Sequence, residues 1–160
     1  SGKSNADVTA LRVLSQNLPK ILKEIENFFP SLVAFAWQNT GLTKISAEDF
    51  RPFPKLQFIH LWNNTITAID SDLFQYTQEL YFISFSSNSI SSVGRGAFDS
   101  LSNLTFLNLN NNICFSGAAQ NRQAVVVLIS EIELNCPPLS ATTSVLPPTT
   151  TLTTTTIPVD

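Results

Sequence analysis

Charge, histidine and long apolar runs are scarce in this 160-residue chain, and each shortage excludes a class of function. Charged residues make up 13 % of the chain and the net charge is −3, so we expect no nucleic-acid binding, which needs a basic surface. No apolar run has the length of a membrane span. The acidic pairs at positions 48 and 49 and at positions 70 and 72 lack the further ligands of a metal site. His60 is the one histidine, and no carboxylate is predicted beside it, so we expect no enzymatic activity, metal or cofactor.

Leucine recurs every 24 residues, and the residues between the leucines recur with it. The units open at Leu32, Leu56, Leu80 and Leu104, with a looser first unit near Val8. Each opening leucine is followed by an inward pair of apolar residues and a polar residue that is usually asparagine. The units opening at Leu32, Leu56 and Leu80 continue with further aliphatic residues and a phenylalanine, whereas the last unit stops at Ile113 and Cys114. A fixed period of this length predicts a solenoid, in which each unit buries its apolar face by stacking on the next.

This repeated phrase resembles the leucine-rich repeat family in its 24-residue extracellular form, and the resemblance covers residues 8–113. It implies an α/β solenoid: an arc of about five repeats with a parallel concave sheet and a helical C-terminal cap. The alternation within each unit independently predicts a short strand whose aliphatic side chains face inward.

The polar residue after each strand is predicted to lie inside the coil and to satisfy backbone groups there. Asn64, Asn88 and Asn112 occupy this position in the later units. Thr40 and Gln16 replace asparagine in the earlier units, which predicts a weaker hydrogen-bonding ladder toward the N-terminus. Large side chains expected in the core include Trp37, Phe50, Phe74 and Phe98.

The two cysteines flank a stretch, residues 118–132, whose apolar side chains follow helical spacing. A solenoid must cover its last exposed core, and the stretch is similar to the abbreviated C-terminal caps of some secreted members of the family. We therefore pair Cys114 with Cys136 in a cap over residues 114–139. Two free thiols in a cytosolic chain are the alternative.

The N-terminus has no matching cysteine cluster. Residues 1–7 form a polar arm, and residues 19–29 are predicted to be helical and to cover one flank. The helix does not close the first strand, whose open edge invites pairing with another chain. Either the polar arm folds over this edge, an upstream cap is missing, or another subunit docks there.

The C-terminal residues 140–160 change abruptly to threonine, serine and proline. Such a composition cannot form a packed core and predicts a mucin-like, O-glycosylated tail, with an unmodified disordered linker as the alternative. The candidate O-glycosylation sites are Thr149, Thr150, Thr151, Thr153, Thr154, Thr155 and Thr156.

Three features predict an extracellular chain, either secreted or shed as an ectodomain. Sequons for N-glycosylation begin at Asn63 and Asn103, at positions predicted to face solvent. A disulfide would require an oxidising compartment. The chain also contains no methionine, which fits a removed signal peptide or a fragment of a longer protein.

The outward positions of the predicted strands include three consecutive phenylalanines, which we expect to form an exposed aromatic ladder on the concave face. The candidate ligand-binding residues are Phe58, His60, Trp62, Tyr81, Phe82 and Phe106. Apolar surface ringed by small polar residues favours a recognition module that binds a protein or a glycoconjugate, a use common in the family. The alternatives are a ladder that merely stabilises the sheet and a structural glycoprotein that self-associates through the open first strand or the aromatic face.

Overall fold

The computed structural model describes residues 4–138, in which short strands alternate with turns before a longer helix. The strands are β1 (Ala10–Leu14), β2 (Ala34–Gln38), β3 (Phe58–His60), β4 (Ala68–Ile69), β5 (Phe82–Ser84), β6 (Ser92–Val93), β7 (Phe106–Asn108) and β8 (Ala118–Ala119). The helices are α1 (Ile25–Phe28), α2 (Ala47–Phe50) and α3 (Arg122–Asn135), and a 3-10 turn spans Asn5–Asp7. None of the described helices has the length and hydropathy needed to cross a membrane. The tail with its O-glycosylation sites at positions 149–156 lies outside the described residues.

The main sheet follows the repeat because residues 24 positions apart pair with each other. Its strand order is β1-β2-β3-β5-β7-β8, and the strands from β1 to β7 are parallel. The register aligns equivalent residues, so that Phe35 lies opposite Ile59 and Ile59 lies opposite Ile83. A separate parallel pair, β4 with β6, joins the return segments. The predicted solenoid with one parallel strand per repeat is therefore confirmed.

The core is a continuous column of the inward residues of every unit. The opening leucines Leu56, Leu80 and Leu104 are fully buried. Trp37 is buried as predicted, and its Nε1 donates to the Leu18 carbonyl at 3.2 Å, which satisfies its one polar group. The predicted core phenylalanines Phe50, Phe74 and Phe98 are also buried. Each fully buried side chain of this size stabilises the fold by roughly 1.5–3 kcal/mol, and these residues hold the concave strands in register.

The buried asparagines connect each coil to the preceding one. Asn64 Oδ1 accepts from the amides of Thr40 and Leu42 at 3.1 and 3.0 Å, and its Nδ2 donates to the Trp37 carbonyl at 2.7 Å. Asn88 and Asn112 make equivalent bonds in the following coils. At the first of these positions Gln16 is exposed, and its side chain has one contact within the described chain, a 3.4 Å bond to Leu14. The ladder thus weakens toward the N-terminus, as the sequence predicts.

The C-terminal end of the solenoid is covered by α3. Val125, Leu128 and Ile132 are buried along one face of this helix. The predicted disulfide is present, and Cys114 and Cys136 lie with their Cα atoms 5.0 Å apart. A disulfide-pinned helix therefore seals the last exposed core, as expected.

The predicted start of this helix at residue 118 is wrong. Ala118–Ala119 instead form β8, which pairs antiparallel with β7. The helix begins after Asn121, whose backbone is extended and whose Oδ1 accepts from the Ala124 amide at 2.9 Å. An N-cap asparagine satisfies an otherwise unpaired amide of the first turn, so it sets the helix start at this point.

The N-terminal end is less regular than predicted. Helix over residues 19–29 is observed for Ile25–Phe28 alone, because Glu24 has a φ of 65°, a left-handed conformation that an α-helix cannot continue through. In the described chain β1 pairs on one side, with β2, so its other edge is open. Residues 5–7 of the polar arm form the 3-10 turn, and residues 1–3 lie outside the described residues.

Candidate functional site

Three phenylalanines occupy the same outward position on β3, β5 and β7 and form a stacked aromatic ladder. The ring centroids of Phe58 and Phe82 are 4.1 Å apart with 13° between their planes. Those of Phe82 and Phe106 are 4.2 Å apart with 4° between their planes. All three side chains are half-buried. The parallel register places these residues opposite one another, so the ladder follows directly from the 24-residue period.

The stacking decides which part of each ring a ligand can meet. Both faces of Phe82 lie against neighbouring rings, as do the inner faces of Phe58 and Phe106. Between Phe58 and Phe106 the ladder therefore offers ring edges to a molecule on the concave side, and among the described aromatic contacts no stacked ring covers the outer faces of these two residues. Ring edges carry a positive partial charge, whereas ring faces are negative.

His60 lies directly beside the ladder. Its ring is inclined by 78° to that of Phe58 and by 67° to that of Phe82, with centroid distances of 6.1 and 6.0 Å. Burial, and to a lesser degree the nearby charge of Arg12, lower the pKa of His60 from 6.5. The imidazole is therefore neutral near pH 7.

A polar relay joins His60 to the first strand through Gln38, which is 5 % exposed. Arg12 Nη2 donates to Gln38 Oε1 at 3.1 Å, and Gln38 Nε2 lies 2.6 Å from His60 Nδ1. These three residues, the Arg12–Gln38–His60 relay, lie on β1, β2 and β3. Arg12 carries the one charge among the outward residues of the parallel strands. The sequence pattern places these residues on one face, but it does not predict the relay, which depends on side-chain reach across strands.

Trp62 and Tyr81 are well exposed, at 40 % and 46 %, but they lie at opposite ends of the strands. Trp62 follows β3, whereas Tyr81 precedes β5. Among the described aromatic contacts, none joins either residue to the ladder. The predicted ligand-binding set thus divides into a contiguous cluster, made by the ladder and His60, and two separate aromatic side chains at its margins.

The two sequons lie where their asparagines are exposed. Asn63 has a φ of 54° in the tight turn after β3, and its Nδ2 donates to Asn39 Oδ1 at 2.8 Å. Asn39 in turn donates to Ser15 Oγ at 3.0 Å, in the same turn of the previous unit. Asn103 precedes the buried Leu104. This exposed amide column is a second feature that the 24-residue phase contains and that sequence reasoning overlooked.

The described residues hold no group of three or more histidine, cysteine or acidic side chains that could bind a metal ion. Both cysteines are in the disulfide. The concave face offers apolar contact at the ladder and hydrogen bonding at the relay.

Residues 54–113 match the family model described as leucine rich repeat. Among solved structures, chains in the Toll–Spatzle complex, described as a hub in Drosophila development and innate immunity, and in the TLR13–ssRNA13 complex are both similar with TM-scores of 0.62, at 22 % and 20 % identity. A chain of the LRIM1/APL1C complex has a TM-score of 0.56 at 22 % identity. The similarity covers 67 %, 67 % and 61 % of this chain, and 14 %, 15 % and 18 % of the respective structures. A search of curated proteins gave no match.

The similarity to these solved structures shows that this chain shares their fold. The matched segment contains the strands that carry the aromatic ladder, and the described residues on either side continue the same register. The chain therefore contains leucine-rich repeats over residues 54–113 and has the fold of the similar structures, with 24-residue repeats and a two-cysteine cap at the C-terminal end of the solenoid.

Proposed function

We propose that this chain is an extracellular recognition module that binds a protein ligand through the concave aromatic face. The observation that carries the proposal is the ladder of Phe58, Phe82 and Phe106, stacked and half-exposed on an otherwise small and polar sheet. Contiguous apolar surface of this kind marks interaction sites, and aromatic side chains contribute most to such interfaces. The solved relatives are named as members of complexes with protein or RNA, which supports recognition as the general role.

The ring geometry favours a protein over a glycan. Sugars pack their C–H groups on the open face of an aromatic ring, but the faces within the ladder are covered by neighbouring rings. Ring edges suit aliphatic side chains and the electron-rich faces of aromatic side chains. Binding of RNA, as in the TLR13 complex, is disfavoured because the concave rows carry one cation, Arg12.

We also propose that the chain is secreted, and its disulfide and exposed sequons support this. The Cys114–Cys136 disulfide fits an oxidising compartment. Asn63 and Asn103 present their sequon side chains to solvent, where attached glycans would not disturb the core. A glycan at Asn63 would stand beside Trp62 at one margin of the face.

The test is peptide selection on the full chain, using a random peptide library displayed on phage. Selected peptides should be rich in aromatic and aliphatic residues and should lose at least tenfold in affinity when Phe82 is changed to Ser. Phe28→Ser is the matched control, because Phe28 is 58 % exposed and lies away from the concave sheet. Phe82→Leu serves as a second variant that keeps the apolar volume but removes the ring.

Equal losses for the Phe28 and Phe82 variants would show that the peptides recognise apolar surface in general, and the proposal would fail. Retained binding by both Phe82 variants would leave the ladder with a stabilising role in the sheet. Binding to immobilised glycans but not to peptides would reverse the choice of ligand class.

The open edge of β1 favours self-association as a second candidate. In the described chain the outer N–H and C=O groups of this strand lie next to no partner strand, and Leu11 and Val13 are partly exposed. Light scattering of the full chain over a hundredfold concentration range separates the two functions. A monomer at every concentration excludes self-assembly, whereas growing oligomers that Phe82→Ser does not affect would indicate the β1 edge.

A further inference from the structure

Arg12 determines the direction of hydrogen-bond donation along the Arg12–Gln38–His60 relay. A guanidinium has donors but no acceptor, so the Gln38 atom that faces Arg12 must be the carbonyl oxygen Oε1. The amide nitrogen of Gln38 then faces His60 and donates to Nδ1. A nitrogen that accepts a hydrogen bond carries no proton, so the proton of the neutral imidazole must reside on Nε2.

The protonated nitrogen is open to a ligand. Among the described residues no group accepts from His60 Nε2, and the one buried side-chain polar atom without a partner is Thr77 Oγ1. Nε2 is therefore in contact with solvent. Because the imidazole also contacts Phe58 and Phe82 edge-on, its free N–H stands at the border of the aromatic ladder.

We propose that the relay turns His60 into a fixed hydrogen-bond donor that selects a carbonyl oxygen on any ligand that packs against the ladder. This inference rests on the proposed function, because its ligand is the protein proposed there. It specifies that the bound part of that protein is an apolar side chain with a peptide carbonyl beside it. Without the relay a neutral histidine would exchange between two tautomers and would present a donor or an acceptor in turn. The relay removes that ambiguity, so His60 becomes a specificity-determining residue and Gln38 a positioning residue.

Among the described residues, no charge of opposite sign acts on the His60 imidazole. On β2 the facing residues are Ala36 and Gln38, and on β5 they are Phe82 and Ser84. Arg12 on β1 is the charged group that acts on the imidazole. Both the burial and this charge favour the neutral ring that the donor role requires.

The first experiment needs no ligand. Nitrogen-15 labelling of histidine gives one imidazole to observe, because the chain contains one histidine. We expect a single neutral tautomer near pH 7.5, with Nε2 protonated and Nδ1 bare. A ring protonated on Nδ1, or an averaged mixture of tautomers, overturns the proposal.

Two variants of Gln38 test its positioning role. Gln38→Glu puts an acceptor against Nδ1 while keeping the shape of the side chain, so the proton should move to Nδ1 and the pKa of His60 should rise. Gln38→Leu removes the relay and should leave an averaged tautomer mixture. A merely structural Gln38 would change stability in both variants without changing the tautomer, and that outcome contradicts the proposal.

The second experiment compares two probes, N-acetylphenylalaninamide and ethylbenzene, by backbone amide shifts of β3, β5 and β7. One hydrogen bond should make the amide probe bind about threefold to tenfold more tightly than the hydrocarbon. Gln38→Glu should reduce this advantage when it is measured at a pH above the raised pKa of His60, where Nε2 carries no proton. Equal affinities of both probes in the unaltered chain would overturn the donor role alone, whereas no shift with either probe would overturn the proposed recognition surface and with it the ligand of this subsite.

Discussion

The two ends of the solenoid differ in how well the outermost repeat is covered. At the C-terminal end α3 buries three side chains, a disulfide joins Cys114 to Cys136, and the Pro137 carbonyl accepts from the Val93 amide at 3.1 Å. At the N-terminal end a 3-10 turn precedes an open strand, and Gln16 replaces the buried asparagine. Because each repeat is stabilised by its neighbours, a weak end lowers stability locally. The comparison teaches that β1 and its unit should be the least stable part of the described chain.

The largest expected effect comes from the polar residue after the strand, compared between the last unit and the first. Asn112→Ala leaves the Ile90 amide and the carbonyls of Phe85 and Leu109 without partners, each now bonded at 3.0 Å. We expect a loss of roughly 3 kcal/mol or more in the free energy of unfolding. Gln16→Ala, at the equivalent position, should cost less than about 0.5 kcal/mol. Urea unfolding of both variants measures the difference, and similar losses would contradict the predicted gradient.

The next effect is that of the disulfide, which closes a segment with a sequence separation of 22 residues. Replacing both cysteines by Ala should lower the free energy of unfolding by about 3 kcal/mol, because the unfolded chain regains freedom. Hydrogen exchange should show the loss of protection concentrated in α3 and β8. If protection falls most in β1 instead, the cap stabilises the solenoid as a whole and the two ends are not independent. Reduction of the unaltered protein provides the matched control.

The sequence predicts the main sheet better than it predicts the helices at the two ends. The 24-residue phase predicts the register, because parallel pairing places equivalent residues such as Phe58 and Phe82 opposite each other. Helix bounds depend on local features that the phase does not contain, namely the left-handed Glu24 and the N-cap Asn121. Apolar periodicity alone therefore predicted both helices to begin too early.

The candidate site shows the same division. The ladder follows from one row of the repeat, since the three phenylalanines are 24 residues apart and stack on one another. The relay does not, because Arg12 and His60 lie in one outward row and Gln38 lies in the next, so that the hydrogen bonds among them run diagonally. A pattern of residue types does not show which group donates in a hydrogen bond, since that depends on the positions of the atoms. Ligand binding by these residues stays a prediction.

A smaller contrast is expected between the caps of the helical segments at the two ends. Asn121→Ala removes the acceptor for the Ala124 amide, which is 2.9 Å away, and should cost about 1 kcal/mol. Ser4→Ala at the exposed 3-10 turn should have no measurable effect on stability, because that turn buries no residue. Thermal unfolding of the two variants is sufficient. A Ser4 variant as unstable as the Asn121 variant would show that the N-terminal turn closes the solenoid after all.

The smallest effect is a dependence on pH that should belong to the N-terminal strands. Burial lowers the pKa of His60 in the fold below its unfolded value of 6.5, so the unfolded chain takes up a proton first as the pH falls. The contribution of His60 is thus complete above about pH 6.5 and declines from there to the lowered pKa of the folded state. Protonated Nδ1 would also face the donating amide of Gln38, which weakens the hydrogen bonding between β3 and β1.

Hydrogen exchange measures this effect: protection factors of β1 amides should fall over this pH range while those of β7 amides stay constant. His60→Gln is the matched control, since it keeps a donor and an acceptor but does not titrate, and it should make β1 insensitive to pH there. Equal loss in β1 and β7 would mean that the acid response does not come from His60, and the prediction would fail.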